Sequence, residues 1–247
     1  MWQDLGLSSF LVVSVFSIVQ SVFGVGLLVF GTPTLLILGY SFSDSLIVLL
    51  PASLAISLFQ MCGGFYIDCR LVGNFILYCL VPLAAALAFI LFFKLNTSLN
   101  VLVAVILALF SVMRMSSVAD NLIRSWVTRH QKLCLVLMGV VHGISNLGGG
   151  LLTIFASAIY RDKVQIRQLI ALCYSCFAAI QLGLLFIFFP NSFGWYQLSY
   201  ALVSTLIFLT VGNHVFRWIS ASMFYNFFTG LMVSYSLLLA LRAANYF

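Results

Sequence analysis

The sequence predicts an all-α polytopic membrane protein made of two inverted repeats. Each repeat is a glycine-broken hairpin, or kinked helix, followed by three transmembrane helices. Three observations point to this class. First, 64% of the 247 residues are hydrophobic and only 6% are charged. Runs of about 18 or more apolar residues read as membrane spans, and the chain is nearly all such runs. Second, a glycine motif inside one long apolar stretch returns about half a chain later. Third, the loop cations divide unevenly once those stretches are read as hairpins. A β-barrel would show short alternating segments instead, and none occur.

Loop signals set out the elements in order. Apolar segments run over about 5–40, 44–62, 71–93, 99–113, 133–159, 166–189, 195–211 and 218–241. The longest polar interruption is 114–132. It joins two halves, so residues 1–116 form the first repeat, 117–131 a cytoplasmic connecting loop and 132–247 the second repeat. Asp4 is the only charge before Asp44. Without a basic n-region, the first apolar stretch reads as part of the mature protein.

The first and fifth segments are too long for one ordinary span. Either each is one kinked helix, or each is a hairpin that enters and leaves on the same side. With eight simple spans, one side holds Arg70, Arg114, Arg124, Arg129, Lys132 and Arg242. The other holds Lys94, Arg161, Lys163, Arg167 and Arg217. Six against five gives no orientation. With two same-side hairpins, only Lys94 and Arg242 face the other nine. That is the excess of Lys and Arg expected of cytoplasmic loops. Each half then crosses an odd number of times. The second half is therefore inverted and both termini lie outside. Inverted repeats are a common transporter architecture, with the substrate near the midplane.

The repeated motif is Ser21-Val22-Phe23-Gly24-Val25-Gly26-Leu27-Leu28, echoed by Ser145-Asn146-Leu147-Gly148-Gly149-Gly150-Leu151-Leu152. Irregular backbone at membrane depth survives only when buried in protein or lining a watery cavity. Glycines there let backbone approach closely. A helix restarting after such a break points free N–H groups and partial positive charge at what lies before it. Two such ends suit a small anion. Thr32 and Pro33 follow the first break, and Asn146 places an amide at the second. The plainer alternative is tight helix packing by small residues.

A second echo follows each motif. Ser53, Ser57 and Gln60 occupy one apolar stretch, and Ser175 and Gln181 the other. A glutamine is costly in lipid unless it faces a partner or a cavity. Its amide could donate to an oxyanion. An interhelical hydrogen bond is the structural alternative.

These residues resemble the sulfite exporter TauE/SafE family of permeases. The likeness rests on Gly24-Val25-Gly26-Leu27-Leu28, Gly148-Gly149-Gly150-Leu151-Leu152, their half-chain spacing and the Ser/Gln helices that follow. It covers essentially the whole chain. It implies a bacterial inner-membrane, multi-pass carrier for sulfite, organosulfonates or sulfonated metabolites. The direction of transport, export, comes from the resemblance alone. Val25 stands where the second copy has Gly149, so two equivalent half-sites are not expected.

The expected substrate-binding set is therefore Gly24, Val25, Gly26, Thr32, Ser53, Ser57, Gln60, Asn146, Gly148, Gly149, Gly150, Ser175 and Gln181. His142 is the only histidine in an apolar segment. It is the candidate for proton coupling, against a neutral histidine bonded to a carbonyl. Cys173 and Cys176 have redox-pair spacing, but no basic group within the segment would lower a thiol pKa. Arg161, Asp162, Lys163 and Arg167 read as a solvated cytoplasmic loop, the alternative being a charged patch that attracts anions at the cytoplasmic mouth. No metal-ligand cluster, phosphate-binding loop or catalytic triad is present, so no cofactor and no enzyme activity are expected. The partners expected are a small anionic substrate and the lipid bilayer, with a homo-oligomer allowed. Nucleic acid is excluded, because the basic residues sit between spans. An anion channel is the alternative class, and an integral-membrane thiol oxidoreductase a third.

Overall fold

The computed structural model describes residues 2–62, 68–93, 105 and 124–220, with scattered helical positions between 223 and 238. Side chains of residues 2–5 are not among those described. Lys94, Arg114 and Arg242 lie outside the described residues. So do nearly all of 99–113 and much of 218–241.

All regular structure among the described residues is helical. In chain order the helices are α1 (Trp2–Phe23), α2 (Leu27–Ile37), α3 (Phe42–Met61) and α4 (Cys69–Phe93). Then come α5 (Gln131–Ser145), α6 (Gly149–Ile159), α7 (Lys163–Phe188) and α8 (Tyr196–Trp218). Five of these, α1, α3, α4, α7 and α8, are long and apolar enough to cross a membrane. α4 and α8 each contain a π-turn, at Ile76–Leu80 and Phe208–Gly212.

Local chemistry sets the helix starts. Ser41 caps α3: its Oγ accepts from the Asp44 N–H at 3.1 Å and donates to Asp44 Oδ2 at 2.6 Å. Asp68 caps α4 by accepting from Arg70 N–H at 2.9 Å. Asp162 accepts from the N–H groups of Val164 and Gln165, both at 3.0 Å, and so starts α7. A side-chain oxygen on the first free N–H groups fixes where a helix begins.

The chain packs as two compact units, each drawing on both halves of the sequence. The first comprises residues 1–66 and 167–218, the second 67–166 and 219–247. In the first unit, α1 packs on α2, α3 and α8, and α3 packs on α2 and α8. α1 shows how a membrane helix divides its surface. Leu7, Leu11, Val15 and Ile18 are exposed, whereas Ser9, Ser17 and Gln20 are buried. Apolar residues face lipid and polar ones face protein, since an unpaired polar group in hydrocarbon costs several kcal/mol. The buried hydroxyls of Ser9 and Tyr200 lie 2.7 Å apart, tying α1 to α8. Ser204 donates to the Ala52 carbonyl at 3.3 Å, tying α8 to α3.

The first glycine break is a hairpin. The rings of Phe16 and Phe30 sit 6.1 Å apart, where a continuous helix would separate them by about 21 Å. The hydroxyls of Ser8 and Tyr40 are 3.2 Å apart. A Cβ on Gly26 would come within 2.6 Å of Val19. Position 26 thus meets 19, 30 meets 16, and 40 meets 8, which is an antiparallel register. With 11 residues α2 reaches about 16 Å, half the hydrocarbon thickness.

The second unit repeats the device. α6 also has 11 residues and packs back on α5. A Cβ on Gly148 would strike His142, and Tyr160 shares a cavity of about 800 Å³ with His130 and Gln131. Here α5 packs on α4 through Gly139 and Gly143, four residues apart. A Cβ on Gly139 would collide with the Cys79 carbonyl in the α4 π-turn. A Cβ on Gly143 would lie 2.6 Å from the Leu83 carbonyl. Small residues let the two backbones touch.

Candidate functional site

The tip of the first hairpin carries a buried polar cluster. Gly24 (φ 75°) and Gly26 (φ 151°) hold backbone conformations that side chains disfavour. They end α1 and restart the chain as α2 within three residues. Gly26 caps α2 with no side-chain hydrogen bond, and α2 has no acid in its first turn.

Ser53, Ser57 and Gln60 lie on one face of α3 and converge on α1. The Gln20 amide donates to the Ser53 carbonyl and Ser53 Oγ, each at 3.0 Å, and to Ser57 Oγ at 3.2 Å. Ser53 Oγ donates back to Gln20 Oε1 at 3.1 Å. Gln60 Nε2 donates to the carbonyls of Gln20 and Ser21, at 2.9 and 3.1 Å. Both of its N–H bonds therefore go to the last turn of α1. Its Oε1 is buried with no hydrogen-bond partner. The cluster runs from the middle of α3 to its last turn.

Arg167 joins this cluster, and its place differs from the solvated loop expected. It is only 9% exposed, inside α7. Its guanidinium carbon sits 3.5 Å from the centroid of the Phe216 ring. Its Nη1 donates to the Ser21 carbonyl at 3.3 Å, and its Nε has no partner. Its Cγ would lie 3.4 Å from a Cβ on Gly24. Arg161, by contrast, is exposed, and Lys163 donates to the Ile219 carbonyl at 3.2 Å. On the other flank of the tip, Gly212 at the end of the α8 π-turn presses on Ser21, where any Cβ would clash.

The other expected site residues are placed as follows. Val25 and Thr32 are fully buried in the first unit. Ser175 also belongs to the first unit, donating to the Leu172 carbonyl at 2.7 Å and lying 3.5 Å from Met61 Sδ. Gln181 is fully buried there. Gly148, Gly149 and Gly150 belong to the second unit. There the left-handed turn is made by Asn146 (φ 62°), while Gly148 is in the right-handed region. Asparagine tolerates that conformation better than other side chains. His142 is fully buried beneath Gly148.

Two contributors escape the motif reading. Gln20 carried the same signal as Gln60, an amide inside an apolar run, but stands one residue before the repeated motif. Arg167 lies just inside its apolar segment and was grouped with its charged neighbours.

Apolar spanning helices, half-length hairpin arms and buried polar side chains at a hairpin tip define a polytopic membrane permease. The family model for Sulfite exporter TauE/SafE matches residues 9–239, and the chain belongs to that family. The family consists of membrane transporters for sulfite and related sulfur anions. No curated protein and no solved structure matches the chain.

Proposed function

We propose that this chain is a secondary transporter that exports a small sulfur-containing anion, sulfite or an organosulfonate, across a bacterial inner membrane by alternating access. The observation that carries this reading is the hairpin tip at Gly24-Val25-Gly26. It places an uncapped helix start, Ser53, Ser57 and Gln60, and a buried guanidinium in one unit of a sulfite exporter family member. Asn146 and Gly148–Gly150, at the second hairpin, are the counterpart in an inverted repeat, and Thr32, Ser175 and Gln181 complete the set. Broken helices of this kind bind anionic groups in other transporter folds through their N-terminal dipoles. His142, buried beside the second break, is the group proposed to carry a coupled proton.

The test is flux into proteoliposomes. Sulfite, thiosulfate, sulfate, sulfoacetate and taurine are compared, with and without a pH gradient. Saturable flux with counterflow of a sulfite or sulfonate is the expected result. Flux without saturation or counterflow would make the protein a channel. No flux of any sulfur anion would reject the proposal.

A further inference from the structure

We infer that the second unit carries a binding site for the phosphate headgroup of an anionic phospholipid, in the cavity where α4 and α5 begin and α6 ends. The inference is independent of the export reading.

Helix direction builds the site. Gly139 meets Cys79 and Gly143 meets Leu83. Both pairs have the same offset, so α5 runs parallel to α4 and the two helices start at the same end of the unit. α6 packs back on α5 and finishes there as well. These ends enclose a cavity of about 800 Å³. Arg70 enters it from the start of α4, and Arg129 and Lys132 from either side of the start of α5. All three are exposed at its rim, so the cavity is open to a ligand.

The charge balance favours an anion. Asp68 is the one carboxylate among the described lining residues. Its Oδ1 already accepts from the Arg70 backbone N–H at 2.9 Å. Three permanent cations therefore line the cavity with one acid. The start of α5 has no side-chain cap and no acid in its first turn, which adds partial positive charge. The end of α6 subtracts at most about half a charge. Asn74 and Gln131 add amide donors.

Depth selects a lipid over a soluble anion. The Trp126 ring centre lies 5.5 Å from that of His130, and Lys132 Nζ lies 4.9 Å from the Tyr78 ring centre. Trp and Tyr collect at the headgroup level of a bilayer. Past the rim the same helices present an apolar wall. Ile76 and Leu77 on α4, and Leu133 and Leu137 on α5, are exposed. Leu137 is about 7.5 Å along the helix from Lys132. A phosphodiester held by the cations leaves its acyl chains against that wall. Loop charge predicts this end to be cytoplasmic, where basic pockets between spans hold acidic headgroups.

The test titrates detergent-purified full-length protein with phosphatidylglycerol, phosphatidylcholine or inorganic phosphate and reads the thermal midpoint. A ligand that binds only the folded state raises the midpoint with its concentration. Phosphatidylglycerol should stabilise, and the other two far less. Equal stabilisation by phosphatidylcholine would show that headgroup charge plays no part. A match by inorganic phosphate would show that the acyl chains play none. Either result overturns the assignment. Two double variants then locate the site. Arg70→Gln/Lys132→Gln removes one cation from each helix and should weaken phosphatidylglycerol binding roughly 25-fold, at about fivefold per cation. Arg161→Gln/Arg217→Gln removes two exposed cations outside the cavity and should bind like wild type. Equal loss in both pairs would reduce the effect to net charge and overturn the site. The comparison of ligands on wild type needs no variant, so a poorly folded mutant does not shield the claim.

Discussion

Gln20→Leu tests whether the polar cluster holds the hairpin to α3. The side chains are similar in volume, so packing is kept and the amide alone is lost. Three protons are shared in the contacts of this amide: two on Gln20 Nε2 and one on Ser53 Oγ. Interhelical hydrogen bonds in membranes average about 0.6 kcal/mol and reach about 1.7. Three of them put the loss at about 2 kcal/mol, with the upper end favoured because Ser53 and Ser57 would be left without the amide in a buried site. Gln60 still holds the α1 terminus through the Gln20 and Ser21 carbonyls, so the protein should insert and fold. Reversible unfolding in mixed micelles, with increasing fraction of denaturing detergent, measures the difference. A change below about 0.5 kcal/mol would show that the amide contributes nothing to holding the two helices together.

Three further outcomes follow from the same geometry. Gln60→Leu should cost about 1 kcal/mol in the same unfolding assay, because its N–H groups hold the end of α1 while both carbonyls keep another partner; unchanged stability with a fall of tenfold or more in anion affinity would put its amide on the substrate instead. Gly26→Leu should abolish flux in protein that still inserts, since φ 151° and the Val19 contact at 2.6 Å leave no room for a side chain; near-normal flux would return the glycine to a packing role. His142→Gln should flatten the pH dependence of flux with binding largely intact, because an amide can bond but cannot change charge; a wild-type pH profile would place the proton elsewhere or nowhere.

Much of the fold was legible because the bilayer constrains sequence so strongly. Apolar run lengths gave α1, α3, α4, α7 and α8, and the twice-written glycine motif marked both breaks. Hairpin or kink stayed open, since both readings share the same apolar pattern and only contacts such as Phe16 with Phe30 separate them. Ser53, Ser57 and Gln60 were legible as polar residues on one face of an apolar helix. Their partner Gln20 was not, because partnership across 33 to 40 positions leaves no local trace. Arg167 was hidden by its neighbours: burial of one cation beside exposed Arg161 depends on Phe216 and the hairpin tip, which arrive from distant parts of the chain. Gly139 and Gly143 passed unremarked because only the facing π-turn of α4 shows what they accommodate. The turn at Asn146 shows a further limit, since motif alignment pairs Gly148 with Gly24 while the backbone gives the left-handed conformation to Asn146.

The account depends most on the first glycine break being a hairpin that leaves the membrane where it entered. That reading brings the tip polar groups together and underlies the uneven division of loop cations. Gly6→Cys and Leu38→Cys, each introduced singly into a cysteine-free protein, mark the two ends of the hairpin at exposed positions. A membrane-impermeant thiol reagent is applied to intact cells and to inverted vesicles. Both positions should react from the outside alone, with a cysteine at position 163 reacting from the inside. Labelling of positions 6 and 38 from opposite faces would make the segment a kinked span and contradict the account.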